Sequence, residues 1–333
     1  MPETLFIPRW SPALLALAFV FIVASSLLPT SAFSSTMSKS SRLDVNMEQT
    51  YDDLARRAIE AYKSNQGSGR DNALWIACVG GPGAGKTTLA KAVAGRIRDI
   101  ISSSSSSIDD IAVAIPMDGY HYTKDELAQL AQTDDNSKGM NRRGAPWTFN
   151  APTLASDLAE AKRNGKGSLS EYDREISDPV PNAIEVDEHH QIFLVEGNYL
   201  LLGCLEAELD KDGKTPKSET NLYETVLGTE CPWEGTRKGL DCPVPIGDEI
   251  RRWKGIQSLF DETWFVAPPG GVEEQRRRLI ERSLKTWTPE KTEAWGGGTD
   301  REAAMRRADF NDVRNAWLVD CCRQYADVVV ASV

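Results

Sequence analysis

The chain has 333 residues, 41% of them hydrophobic, and a formal net charge of −11 from 49 acidic and 38 basic side chains. That length allows one large domain or two smaller ones with a sizeable core. The acidic balance argues against a nonspecific nucleic-acid binder, because phosphate backbones demand a basic surface. None of the six cysteines forms a C-x-x-C pair and no N-x-[ST] sequon occurs, so a zinc or thioredoxin-type motif has no support and a secreted glycoprotein is disfavoured.

Arg9 precedes an apolar run, Ala13 to Ala24, followed by Thr30-Ser31-Ala32. A basic start, a short apolar stretch and small residues before a cleavage point read as a signal peptide. The run is short for a bilayer span, which needs about 20 residues; an uncleaved anchor is the other reading. Phe33 to Arg42 is Ser-rich, basic and free of acids, which is transit-peptide composition. The junction Ser31-Ala32-Phe33 resembles the bipartite presequence of algae whose plastids lie inside extra membranes. The expectation is a targeting presequence over 1–45, import into the plastid stroma, and no stable membrane association after processing. Entry into the secretory pathway, or a cytosolic form started at Met37, are the alternatives. A fusion of residues 1–45 to a fluorescent protein checks this, and a diffuse cytosolic signal would end it.

The mature chain, 46–333, opens with helical spacing over 48–64, where Leu54, Ala58, Ile59 and Tyr62 share one side. Leu74 to Val79 is a short apolar run that predicts a buried parallel strand. Behind it stands Gly80-Gly81-Pro82-Gly83-Ala84-Gly85-Lys86-Thr87-Thr88, a complete G-x-x-x-x-G-K-[ST] phosphate-binding loop, and helical periodicity follows from Thr88 to Ile97. The glycines let the backbone wrap phosphate with its N–H groups inward, and the helix start favours an anion. Residues 81–88 are thus the nucleotide-binding candidates, with Lys86 on the β- and γ-phosphates and the Thr87 hydroxyl on Mg²⁺. The bland alternative is a glycine-rich turn between a strand and a helix.

Ser102 to Ser107 is a surface connection with no assigned function. A second strand, Ile111 to Pro116, delivers Met117-Asp118-Gly119-Tyr120-His121-Tyr122 to the carboxyl end of the sheet, where ligands bind in open α/β folds. Thr123 to Gln132 reads as a short helix, Met140 to Phe149 as a loop carrying Arg142 and Arg143, and Pro152 to Arg163 as a helix. Tyr172-Asp173-Arg174 and Asp178-Pro179 fall in 168–180, without an assigned element. Ile192 to Val195 is a third strand ending in Glu196-Gly197-Asn198-Tyr199, where an acid is placed to partner Mg²⁺. Residues 203–247 read as an inserted surface excursion. Glu249 to Phe260 looks helical, Asp261 to Ala267 is a strand, and Glu273 to Lys285 is an arginine-rich helix within a lid of about 270–300. Gly296 to Gly298 is a break, Arg301 to Tyr325 one long helix, and Asp327 to Val330 the last strand. Strands alternating with helices predict a mostly parallel sheet.

Together these stretches resemble the phosphoribulokinase/uridine kinase family of P-loop kinases, which includes pantothenate kinase and plant-type glycerate kinase. The likeness covers about 70–330 outside the excursion. It rests on the phosphate loop, Met117 to His121, Arg142 to Phe149, Val195 to Leu201, Asp261 to Phe265, the arginine-rich lid, and Phe310-Asn311-Asp312. A fructose- or sugar-kinase-like branch is the nearest in pattern. Asn150 stands where that family usually has Asp, and Ser283 replaces a lid His. The resemblance implies the α/β P-loop NTPase fold in three layers, helices on both faces and a helical lid, with ATP and Mg²⁺ as cofactors and Asp118 as the base. An acid at a strand end beside the phosphate loop supports the same role, against the alternative of an Asp capping its turn. Glu196 would hold Mg²⁺ directly or through water, against the alternative of a satisfied structural acid. Arg142 and Arg143 offer forks for an anionic substrate group or the γ-phosphate, and Arg143 is also set with Lys86 as catalytic. Arg278 and Arg282, four apart on one helix face, could reach phosphate when a lid closes. Tyr120, His121, Tyr172 and Asn198 are candidate substrate contacts.

The expectation is a kinase that phosphorylates a hydroxyl of a small metabolite such as a sugar, glycerate, a nucleoside or a pantothenate-like compound. The competing readings are a P-loop NTPase or a nucleotide-binding regulatory protein with no acceptor. A homodimer is compatible with the sequence.

Overall fold

Six apolar residues, Leu74–Val79, form β1, and every one of them is buried. The computed structural model describes residues 46–65, 73–103, 111–133, 142–209, 211 and 246–333. The expected presequence 1–45, Ser104 to Ser107, Met140, Asn141 and most of the 203–247 excursion lie outside the described residues. Around β1 runs a parallel sheet of β2 (Ala112–Pro116), β5 (Ile192–Gly197), β6 (Glu262–Ala267) and β7 (Val328–Ala331), in the order β2-β5-β1-β6-β7. Near-continuous hydrophobic runs are what a sheet covered on both faces requires.

Alternate side chains of β1 serve the two faces. Leu74, Ile76 and Cys78 pack with Leu54, Ala58 and Ile59 of α1 (Met47–Asn65) and with Leu89, Val93 and Ile97 of α2 (Lys86–Ser102). Trp75, Ala77 and Val79 face Leu154 and Leu158 of α4 (Ala151–Asn164) and Leu318 and Val319 of α9 (Asp312–Asp320). This is the expected three-layer α/β fold. Asn150 caps α4, its side chain accepting from Thr153 N at 3.2 Å; Asn serves this position as well as Asp does. The short helix α3 spans Lys124–Thr133. The lid region is α6 (Gly271–Leu284), α7 (Pro289–Ala294) and α8 (Asp300–Phe310). Val272 and Ile280 share a separate core there with Ala304, Ala308, Val313 and Ala316. Among the described residues, no helix is long and apolar enough to cross a membrane.

Three segments differ from the sequence reading. Residues 167–186 form an antiparallel hairpin, β3 (Gly167–Asp173) with β4 (Asp178–Val186). Its strands are mostly polar, and Leu169 and Val186 are the side chains it sends into the core, so the alternation signal is faint. Its turn is held by the Asp173 carboxylate, which accepts from Glu175 N at 2.7 Å and Ile176 N at 3.3 Å. The helix expected over 249–260 is α5 (Ile246–Arg252) and a 3₁₀ turn (Ile256–Leu259), separated at Gly255 with φ 85°. The long helix expected over 301–325 stops at Phe310, resumes as α9, and ends in a 3₁₀ turn, Cys321–Tyr325. Asn311 at the first break has φ −125° and ψ −67°. Neither Gly nor Pro stands there, and the Asn311 side chain is engaged by Arg142 and Arg143.

Candidate active site

β1 feeds directly into the phosphate loop, and α2 starts at Lys86. Gly83 and Gly85 have φ of 78° and 91°, left-handed values that side chains resist. A glycine-rich turn at the start of a helix suits an anion, and this one is closed by Ala84 N donating to Gly81 O at 3.1 Å. Thr88 lies exposed in the first turn of α2, while Gly81 and Ala84 are buried beneath the loop.

The register of the sheet brings the acids to this loop. Glu196 of β5 pairs with Cys78 of β1 on one side and Pro116 of β2 on the other. Its carboxylate therefore sits between the ends of both strands. Thr87 Oγ1 donates to Glu196 Oε1 at 2.8 Å, and Lys86 Nζ lies 4.0 Å from Oε2. Burial raises the Glu196 pKa, Asp118 adding to it while Lys86 and the Thr87 hydrogen bond oppose. Asp118 lies two residues past β2 in a 3₁₀ turn, Met117–Tyr120. That turn is clamped on the hairpin: a Cβ at Gly119 would stand 2.1 Å from Ser170 O.

Next to Asp118, His121 stacks on Phe149 with ring centroids 3.8 Å apart, and Tyr172 lies 5.5 Å from it. Burial chiefly holds the His121 pKa down to about 4, against the pull of Asp118 and Asp178. The Arg143 guanidinium lies 5.7 Å from the Tyr172 ring. Arg143 Nη2 donates to Asp178 Oδ1 at 2.7 Å and Tyr122 O at 3.2 Å. Its Nε and Nη1 are buried without a partner among the described residues, as are His121 Nδ1 and Asn198 Oδ1. Tyr120 is placed apart from this group, buried in the core with its phenol beside Asp157 of α4.

The lid side holds the other candidates. Arg142 Nε donates to Asn311 Oδ1 at 3.1 Å, and its guanidinium lies 5.2 Å from Trp147 and 5.8 Å from Phe310. Arg278 donates to Ser332 O at 3.0 Å and Ser332 Oγ at 3.3 Å, and Ser332 Oγ donates to Ala84 O of the phosphate loop. Arg282 diverges from Arg278 and joins Arg307 and Arg142 around Asp312, whose pKa burial raises and these three charges lower. The sequence reading quoted Asp178 and Asn311 without giving either a site role, and it passed over Asn315 and Ser332. All four act by gripping another residue, and no spacing rule announces that.

The site suits a magnesium nucleotide. Thr87 Oγ1 and Glu196 Oε1 are hard oxygen donors side by side, and no group of three or more His, Cys, Asp or Glu that could hold a metal occurs among the described residues. One or two protein oxygens completed by phosphate and water is how Mg²⁺ is commonly held at nucleotide sites.

No protein-family model matches the chain. A protein of Schizosaccharomyces pombe, named provisionally as a uridine kinase, is 35% identical over 163 residues, 48% of this chain and 63% of its own length. The chain thus spans under two thirds of that relative. An ATP-dependent kinase-like protein of Aspergillus versicolor is 33% identical over 207 residues, 60% of this chain and 84% of that protein. Among solved structures, a protein of Silicibacter named provisionally as a fructose transport system kinase superposes with a TM-score of 0.55. Its identity is 20%, covering 84% of this chain and 98% of that one; at that identity the likeness speaks for the fold. With the phosphate loop, the parallel sheet and these relatives in agreement, the chain belongs to the phosphoribulokinase/uridine kinase family of P-loop kinases.

Proposed function

We propose that this kinase transfers the γ-phosphate of ATP to a hydroxyl group of a small metabolite, a sugar, nucleoside, glycerate or pantothenate-like compound. One observation supports it above the others: Glu196, in register with the ends of β1 and β2, meets Thr87 and Lys86 and lies close enough to Asp118 for their charges to interact. The names of the relatives, uridine kinase and ATP-dependent kinase-like protein, agree with a small acceptor.

In this reading the loop amides and Lys86 grip the β- and γ-phosphates, and Thr87 and Glu196 hold Mg²⁺. Bound there, the metal neutralises charge on the transferring group. Asp118 takes the proton of the acceptor hydroxyl as its oxygen bonds to the γ-phosphorus and the bond to the ADP oxygen breaks. Arg143, on the Asp118 and His121 side, orients the acceptor. Arg142, on the lid side with Arg282, meets the terminal phosphate. His121, Tyr172 and Asn198 wall the acceptor.

The test is ATP turnover with and without sugars, glycerate, nucleosides and pantothenate. Acceptor-dependent turnover is expected; equal turnover without any acceptor would favour a nucleotide hydrolase. Asp118→Asn should lower transfer about 10²–10⁴-fold with ATP affinity nearly unchanged. Activity within a few-fold of the wild type would remove Asp118 as the base.

A further inference from the structure

The break between α8 and α9 falls at a residue that the general scheme for this site does not use. At Asn311 both functions of one side-chain amide are engaged on one loop. Oδ1 accepts from Arg142 Nε at 3.1 Å, and Nδ2 donates to Arg143 O at 2.7 Å. The pairing also fixes which end of the amide is oxygen, since a guanidinium only donates and a carbonyl only accepts. Asn315, one turn on, extends the grip: its Nδ2 donates to Gly144 O at 3.1 Å and to Asn311 Oδ1 at 3.3 Å. Gly144 has φ 104° and lies against both amides.

The same helix touches the phosphate loop. A Cβ at Gly81 would fall 2.9 Å from the Ala316 Cα. Within six residues, 311 to 316, α9 therefore contacts both the arginine loop and the loop that cradles phosphate. Arg142 is nearly buried between Trp147 and Phe310, and among the described residues neither of its Nη atoms donates a hydrogen bond. A guanidinium held by its Nε and wedged between rings, whose outer nitrogens make no hydrogen bond although the Asp312 charge lies nearby, is preorganised for an anion.

We propose that Asn311 is a positioning residue for phosphoryl transfer: it ties the Arg142–Arg143 loop to α9, and so sets Arg142 at a fixed place relative to the phosphate loop, to contact the terminal phosphate of ATP. This rests on the phosphotransfer reading above. Asp cannot replace Asn, because it has no proton for the Arg143 carbonyl and would neutralise Arg142.

The experiment is calorimetric titration of the full chain with Mg·ADP and with Mg·AMP-PNP, the non-hydrolysable ATP analogue. The wild type should prefer the triphosphate by about tenfold or more, the weight of one charge-assisted hydrogen bond. Asn311→Leu should lose that preference with Mg·ADP affinity unchanged within about twofold. Arg142→Ala should lose it equally, and the double variant should be no worse than either single one, because both act through one contact. Asn311→Asp, the same shape, supplies the test if Asn311→Leu fails to fold, and should also lose the preference. If an Asn311 variant keeps the preference while Arg142→Ala loses it, the positioning role is wrong and the arginine assignment survives. A parallel fall in both affinities marks a merely structural residue and overturns the role. If Arg142→Ala keeps the preference, the terminal-phosphate reading of that arginine fails first and the inference falls with it.

Discussion

Acid should weaken this fold through His121. The ring is stacked on Phe149 at 3.8 Å, its Nδ1 has no partner among the described residues, and its pKa is held down to about 4 from an ordinary 6.5. Burial is the main cause; Arg143 adds to it, while Asp118, Asp178 and a hydrogen bond to the Thr148 backbone pull the other way. In the unfolded chain His121 takes its proton near 6.5, whereas the folded protein refuses it until about 4. Between those values the unfolded state binds more protons, so stability rises with pH. The contribution is complete above about pH 6.5 and is lost as the pH falls towards 4, reaching about 3 kcal/mol in all. The loss should be about 1 kcal/mol near pH 5.5 and about 2.5 kcal/mol near pH 4.5. Urea unfolding at about pH 7.5, 5.5 and 4.5 measures it, with His121→Phe as the reference, since Phe keeps the stack and cannot titrate. Carboxylates that titrate in the same window affect both proteins, so the difference isolates the imidazole. Curves for the two proteins that fall in parallel would refute the argument.

Three further outcomes follow from the site. Glu196→Gln removes the charge that the partly buried Lys86 faces while keeping a group for the Thr87 hydroxyl, so the ligand-free protein should lose stability and its thermal stabilisation by Mg·ATP should disappear; calorimetry with and without Mg·ATP reads both. Asp178→Ala strips Arg143 of its ion-pair partner at 2.7 Å; the acceptor KM should rise about tenfold with the ATP KM unchanged, and equal changes in the two would assign Asp178 to the fold instead. Gly119→Ala places a Cβ 2.1 Å from Ser170 O, a clash with backbone that cannot swing aside. It should cost about 2 kcal/mol or more and move the Asp118 turn off the hairpin, seen as lower kcat together with a lower unfolding midpoint.

What could be read from the sequence was whatever obeyed a local rule. Leu74 to Val79 declares its strand because a strand buried on both faces needs an unbroken apolar run. The phosphate loop declares itself because its glycines are demanded by backbone angles. Glu196 and Asp118 could be placed near it because one lies at the end of a buried strand and the other just past one, and parallel strands end together. The hairpin 167–186 escaped because one side of it is solvent and its strands carry Ser, Glu, Asp and Pro. The break at Asn311 escaped for a different reason: the partners of its side chain, Arg142 and Arg143, lie 169 and 168 residues away. Tyr120 and His121 are neighbours that face different surroundings, Tyr120 the core and His121 the Asp118 group, a distinction set by the clamp on Gly119 rather than by residue type.

These observations divide the site into halves with different origins. On the proposed reading the nucleotide half is Lys86 and Thr87 at the start of α2 with Glu196 in β5, all standing on the parallel sheet and the core beneath it. In the same reading the acceptor half would be assembled from the turn after β2, the 142–149 loop and the β3–β4 hairpin, none of which belongs to that sheet. Each must therefore be tied down separately. Ser170 O abuts the Asp118 turn, Asp178 takes Arg143, and Asn311 takes Arg142. Two of these ties are single polar side chains, with geometry that one substitution can change while the core stays intact. A family in this fold can then vary its acceptor by altering the hairpin and the loop while leaving phosphate binding untouched. Exchange of residues 167–186 for those of a relative should accordingly alter acceptor preference and leave the Kd for Mg·ATP within a few-fold; a chimaera that lost ATP binding would show that the two halves are not separable.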